Sequence, residues 1–67
     1  MRFVPATAVI TKGVSLQACY DNKWHPVKAL SENDDATINV DWVTFPGYYY
    51  AMNRGELIIS ETDLARL

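Results

Sequence analysis

The run Ala18-Cys19-Tyr20-Asp21-Asn22-Lys23-Trp24-His25-Pro26-Val27-Lys28-Ala29-Leu30 sets two strand-like stretches on either side of a two-residue turn. Asp and Asn tolerate left-handed backbone, so Asp21-Asn22 predicts a tight hairpin. On its first arm, Val14, Leu16, Ala18 and Tyr20 alternate with Ser15, Gln17 and Cys19, the period of two of a half-buried strand. The second arm, residues 24–30, contains Pro26, which has no amide hydrogen to give. That arm must lie at an edge or turn Pro26 away from the ladder.

Strand and turn continue through the rest of the chain. Ser31-Glu32-Asn33-Asp34-Asp35 reads as an exposed hairpin loop. A third strand over residues 37–44 puts Ile38, Val40 and Trp42 on one face and Asn39, Asp41 and Val43 on the other. Phe45-Pro46-Gly47 breaks it, and Tyr48-Tyr49-Tyr50-Ala51-Met52 is aromatic enough for a fourth strand. Asn53-Arg54-Gly55-Glu56 reads as a turn or one 3₁₀ turn, and Leu57-Ile58-Ile59 as a fifth strand. Ser60-Glu61-Thr62-Asp63 has the form of a capping box before a helix of under two turns, which needs tertiary contacts to persist. A competing register with residues 56–60 as the fourth strand leaves a long structureless loop after Pro46 and is set aside.

At 67 residues the chain has room for one domain, and a domain of this size buries only ~60% of its unfolded surface. Its composition, 49% hydrophobic and 21% charged, is that of a globule and not of a disordered segment. Five short strands in an open sheet would expose an edge and much of their apolar surface, whereas closing them hides both. The expectation is therefore all-β: a small five-stranded, strongly bent barrel with a short 3₁₀ or helical turn near the C-terminus. Its core is expected from Val14, Leu16, Ala18, Val27, Ala29, Ile38, Val40, Met52, Leu57 and Ile59. Residues 1–12 form an N-terminal arm, 13–59 the barrel, and 60–67 a terminal turn or short helix.

Charge narrows the partners. The formal net charge is −2, and the six Lys and Arg are scattered, which disfavours nucleic acid. An acidic domain instead draws a cationic ligand through its long-range field. The acid runs Glu32-Asn33-Asp34-Asp35 and Glu61-Thr62-Asp63 equally suit plain solvated turns. The lone Cys19 cannot form an internal disulfide, which points to a cytoplasmic (intracellular) protein that folds on its apolar core alone. The apolar stretch at residues 3–10 is too short for a signal peptide and is cut by Pro5. No run of ~18 apolar residues is present, so no transmembrane helix is expected. Met1 and the compact length suit a complete small protein.

The segments Ala18-Cys19-Tyr20-Asp21, Lys23-Trp24-His25-Pro26-Val27-Lys28-Ala29 and Asn39-Val40-Asp41-Trp42-Val43-Thr44-Phe45 together resemble Tudor domains. In that family a small or apolar residue then an aromatic ends the first strand, a polar turn follows, an aromatic-Pro-Ala-like segment opens the second, and a Val-rich third strand ends in aromatics. The likeness covers residues 13–59 with short, degenerate motifs, and it implies an SH3-like barrel that binds and does not catalyse. The chain departs from the pattern where His25 precedes the Pro in place of the usual Tyr. It departs again where Thr44-Phe45-Pro46-Gly47 replaces the Gly-Tyr-Gly-Asn type of turn, and in the additional Tyr48-Tyr49-Tyr50.

The resemblance implies an aromatic cage for a cationic, methylated lysine or arginine side chain. Methylation keeps the charge but strips donors, so ring quadrupoles must do the attracting, at ~0.5–2 kcal/mol per well-placed ring. On the matching positions the rings are Tyr20, Trp24 or His25, Trp42 and Phe45, with Asp21 or Asp41 as a nearby anion. Equally, Tyr20 and Trp42 suit the open ends of a barrel that needs large residues there. In a strand Tyr48 and Tyr50 share one face and Tyr49 takes the other, so one or two should enter the core and the remainder form an interface patch.

Catalysis finds little support. One His and one Cys make no metal set, no cofactor is implied, and Gly13, Gly47 and Gly55 stand alone without a phosphate loop. A Cys19–His25 pair across the hairpin is the one conceivable nucleophile and base. Two functions remain: a binding module for a cationic ligand or a protein or peptide, or an assembly module that joins a partner or itself through a Tyr-rich surface or sheet edge. Loss of ligand response in Trp42→Ala with the fold intact would favour the first, and concentration-dependent size the second.

Overall fold

The computed structural model describes all 67 residues. The chain is mostly β, with Arg2–Phe3 (β1), Ser15–Tyr20 (β2), Lys23–Glu32 (β3), Ile38–Trp42 (β4), Tyr49–Met52 (β5) and Leu57–Ile59 (β6). A 3₁₀ turn at Arg54–Glu56 precedes β6, and one short helix, Glu61–Ala65 (α1), follows it. All six strands are antiparallel and belong to one sheet ordered β1-β6-β2-β3-β4-β5. The sheet is open, with β1 and β5 as its edges. Five strands were expected; the sixth is β1, which pairs Arg2 with Ile59 and Phe3 with Ile58. Two residues carry too little alternation to announce a strand, and only the long-range partner β6 makes them one.

Asp21 and Asn22 both take positive φ, 53° and 58°, the pair of left-handed residues that a two-residue hairpin turn requires. That turn fixes the β2–β3 register at Tyr20↔Lys23, Cys19↔Trp24 and Ala18↔His25. The ten-residue β3 is the spine of the sheet. Its first part pairs with β2 and its second with β4, with a register shift between Ala29 and Ser31. An extra residue of this kind bends a strand and raises its twist, so the two halves of the sheet turn toward one another.

The concave face carries Leu16, Ala18, Val27, Ala29, Ile38, Val40, Met52, Leu57 and Ile59, all buried, with Val14 partly so. Trp42 joins this core from the expected binding set, and Val4 and Ile10 join it from the segment expected to be an arm. Arg54 holds that segment down. Its Nη1 donates to the carbonyls of Pro5 (2.8 Å) and Ala8 (2.7 Å), its Nε to that of Ala36 (3.0 Å), and its Nη2 lies 3.5 Å from Glu32. Glu32 in turn accepts from the Ile10 amide. After β6, Ser60 caps α1 by accepting from the Asp63 amide at 3.0 Å, and Leu64 packs on the core. No helix is long and apolar enough to cross a membrane.

Candidate functional site

Strand parity decides which rings meet. Leu16 and Ala18 point inward, so Tyr20 does too, and the hairpin register sends His25 to the same side and Trp24 to the other. On β4 the inward set ends in Trp42, and β5 opposes Val40 with Tyr50 and Ile38 with Met52. The result is a cleft of about 440 Å³ lined by Tyr20, His25, Trp42, Phe45, Tyr48 and Tyr50, with Thr44, Met52 and Glu56 completing its wall. Its volume falls in the range of small-ligand sites.

Trp42, only 8% exposed, forms the floor. Around it stand His25 at 5.1 Å between ring centroids, Tyr20 at 6.0 Å and Tyr50 at 6.0 Å, all edge-on, with interplanar angles of 66°, 76° and 87°. Edge-to-face contact suits the ring quadrupoles and leaves faces of the outer rings open for another group. A second edge-on pair, Phe45 and Tyr48, stands 6.3 Å apart on the far side. His25 Nε2 donates to the Tyr20 carbonyl at 3.2 Å, which fixes the tautomer and ring plane. Asp41 accepts from the Gly47 amide at 3.0 Å, and Gly47 has φ of 95°, so the loop that carries Phe45 and Tyr48 is pinned to β4.

Several expected members lie elsewhere. Trp24 sits on the convex face, 6.4 Å from Phe3, because the turn register sets it opposite Cys19 and not Ala18. Asp21 is used by the hairpin turn and Asp41 by the Gly47 loop, and neither lines the cleft. The carboxylate at the cleft is Glu56. Its Oε1 accepts from the amide (3.2 Å) and side chain (3.1 Å) of Asn53, which orients the group at the cleft wall. The Asn-x-x-Glu spacing was the available signal for a fixed carboxylate.

The three tyrosines all remain exposed, against the expectation that one or two would be core. Their strand is a sheet edge, and Trp42 already fills the space beneath. Tyr48 and Tyr50 line the cleft and Tyr49 faces away from it. Cys19 and His25 fall on opposite faces of the hairpin, so they form no pair. No three metal-ligating side chains gather anywhere.

Comparison with protein-family models, with curated proteins and with solved structures gives no match in any of the three.

Proposed function

We propose that this protein is a small non-catalytic binding module whose aromatic cleft takes a cationic side chain or small cation, methylated lysine or arginine foremost. The observation that carries the reading is the set of three rings, Tyr20, His25 and Tyr50, each edge-on to Trp42 beneath them, with the oriented carboxylate of Glu56 beside them. Rings supply attraction of about 0.5–2 kcal/mol each for a soft cation that has few donors, and the carboxylate adds long-range pull. In the same reading the open, curled sheet is a variant of the Tudor-type SH3-like barrel, and the unpaired Cys19 suits an intracellular setting.

The test is a titration of labelled protein with trimethyllysine, dimethylarginine and their unmethylated parents, followed by amide and indole NMR. We expect selective shifts at Tyr20, His25, Trp42, Phe45 and Tyr50, reduced severalfold in Tyr20→Ala and Glu56→Gln. A well-folded spectrum that none of the four ligands moves would end this reading. A second reading, assembly through the tyrosine-rich surface, is favoured by the exposure of Tyr48, Tyr49 and Tyr50 together. Size that rises with concentration, and falls back in Tyr49→Ser, would support it.

A further inference from the structure

The β5 edge carries backbone groups with nothing to bond. Trp42 donates its amide to the Tyr48 carbonyl at 3.3 Å, so the ladder toward β4 uses Tyr48 and, two residues on, Tyr50 and Met52. Tyr49 and Ala51 consequently aim their N–H and C=O groups outward, away from the sheet. Sheet edges are commonly shielded by Lys, Pro, a bulge or extreme shortness. The other edge, β1, has two residues and begins with Arg2, whereas Tyr49-Tyr50-Ala51-Met52 carries no charge, no Pro and no bulge.

We infer that β5 accepts a strand from an extended cationic peptide, whose alternate side chain packs on the outer face of Tyr50 and reaches over that ring into the aromatic cleft. The inference rests on the cation-binding reading of that cleft and adds how the ligand is presented. A strand laid along β5 bonds to Tyr49 and Ala51 and sets one residue directly opposite Tyr50 as a non-hydrogen-bonded pair, with Cβ atoms about 4.5–5.5 Å apart. That residue shares the face of Tyr50, which is the cleft side. Tyr50 leans onto Trp42 on its β4 flank, so its outer flank stands clear to meet the incoming side chain.

Charge selects the occupant. The domain has a net charge of −2 and Glu56 lies just beyond the end of β5, so a cationic strand is drawn in. A second copy paired across the same edge would bring a strand, Tyr49–Met52, that offers neither cleft a cation, and would set two acidic bodies together. The peptide satisfies the backbone and the cleft at once.

The probe is an acetylated, amidated peptide of alternating threonine and valine around one trimethyllysine, titrated beside free trimethyllysine. We expect the peptide to bind at least about tenfold more tightly than the free amino acid, with shifts at the Tyr49 and Ala51 amides as well as at the cleft. Ala51→Pro removes an outward donor and fills the edge without taking a bond from the β4 ladder. It should return peptide affinity to the level of free trimethyllysine while leaving the latter's binding unchanged. A peptide N-methylated at the paired backbone positions should lose the same advantage on unaltered protein, which covers the case in which Ala51→Pro folds poorly. Equal affinity for peptide and free amino acid would overturn strand addition while the cleft reading stands. Tight binding of the same peptide with alanine for trimethyllysine, and none of free trimethyllysine, would overturn the link to the cleft. Dimerisation mapped to Tyr49 and Ala51 would overturn the peptide as occupant.

Discussion

Arg54 joins parts of the chain that no local pattern connects: the Pro5 and Ala8 carbonyls, the Ala36 carbonyl and the Glu32 carboxylate, with its side chain 11% exposed. Its planar fork makes these bonds in several directions at once, which a lysine ammonium does not reproduce. Arg54→Met should destabilise the fold by about 2–4 kcal/mol in urea unfolding, and Arg54→Lys should recover only part of it. Ala36 holds φ of 71° beside it, a conformation that costs a residue with a Cβ about 1–2 kcal/mol. Ala36→Gly should therefore raise stability by up to about 1 kcal/mol, read from the same denaturation curves. Trp42 belongs to the core as much as to the cleft, and its Nε1–H is buried without an acceptor. Trp42→Ala should cost about 3–5 kcal/mol and report on folding before binding, whereas Trp42→Phe, which leaves no donor unpaired, should keep the fold. Of these residues the sequence displays only the apolar alternation that brings Trp42 inward. Arg54 stands among turn residues with partners far along the chain, and Ala36, whose amide donates to the Asn33 carbonyl at 3.0 Å, closes a turn that its residue type does not announce.

The hairpin between β3 and β4 is held by side chains as well as by its ladder. Asn33 and Asn39 exchange hydrogen bonds at 2.9 and 3.0 Å, Asn33 also donates to the Thr37 hydroxyl, and Asn39 to that of Ser31. Asp35 accepts from the Thr37 hydroxyl at 2.6 Å and amide at 3.0 Å, and these bonds hold its carboxyl below the ordinary value of 3.8. A carboxyl depressed in the folded state binds fewer protons there than in the unfolded chain, so its contribution is complete above the unfolded value and is lost as pH falls through the folded one. Unfolding midpoints between about pH 2 and pH 6 should therefore decline on the acid side, and Asp35→Asn should flatten that decline. The strand elements were legible because period two runs cleanly through β2 and β4. The cleft was half legible for a reason of the same kind. A two-residue turn at Asp21-Asn22 already dictates Ala18↔His25, so of the two rings offered, Trp24 or His25, strand parity selects His25 for the inner face. Glu56 escaped because a short 3₁₀ turn has no face to read.

For the molecule as a whole, the sheet is open where economy of buried edges suggested a closed or nearly closed barrel, and the reason lies at its two ends. β1 covers one side of β6 with two residues, and β5 has no strand on its outer side. The N-terminal segment supplies Val4 and Ile10 to the core in place of a further ladder. Because the cleft draws on β2, β3, β4, β5 and the 3₁₀ turn, ligand affinity and global stability should move together: a cationic ligand at one hundred times its Kd should add about 2.7 kcal/mol to unfolding. The division of β3 between two neighbours bears also on how the chain reaches this state. Both of its pairings are with strands next to it in sequence, and so close early with little loop entropy to overcome, whereas Arg2↔Ile59 unites almost the two ends of the chain. The β2–β3–β4 meander is therefore expected to form first and the remainder to condense on it. In native-state hydrogen exchange its amides should open only with the whole molecule, while β1 and the strand it covers exchange through a cheaper, earlier opening.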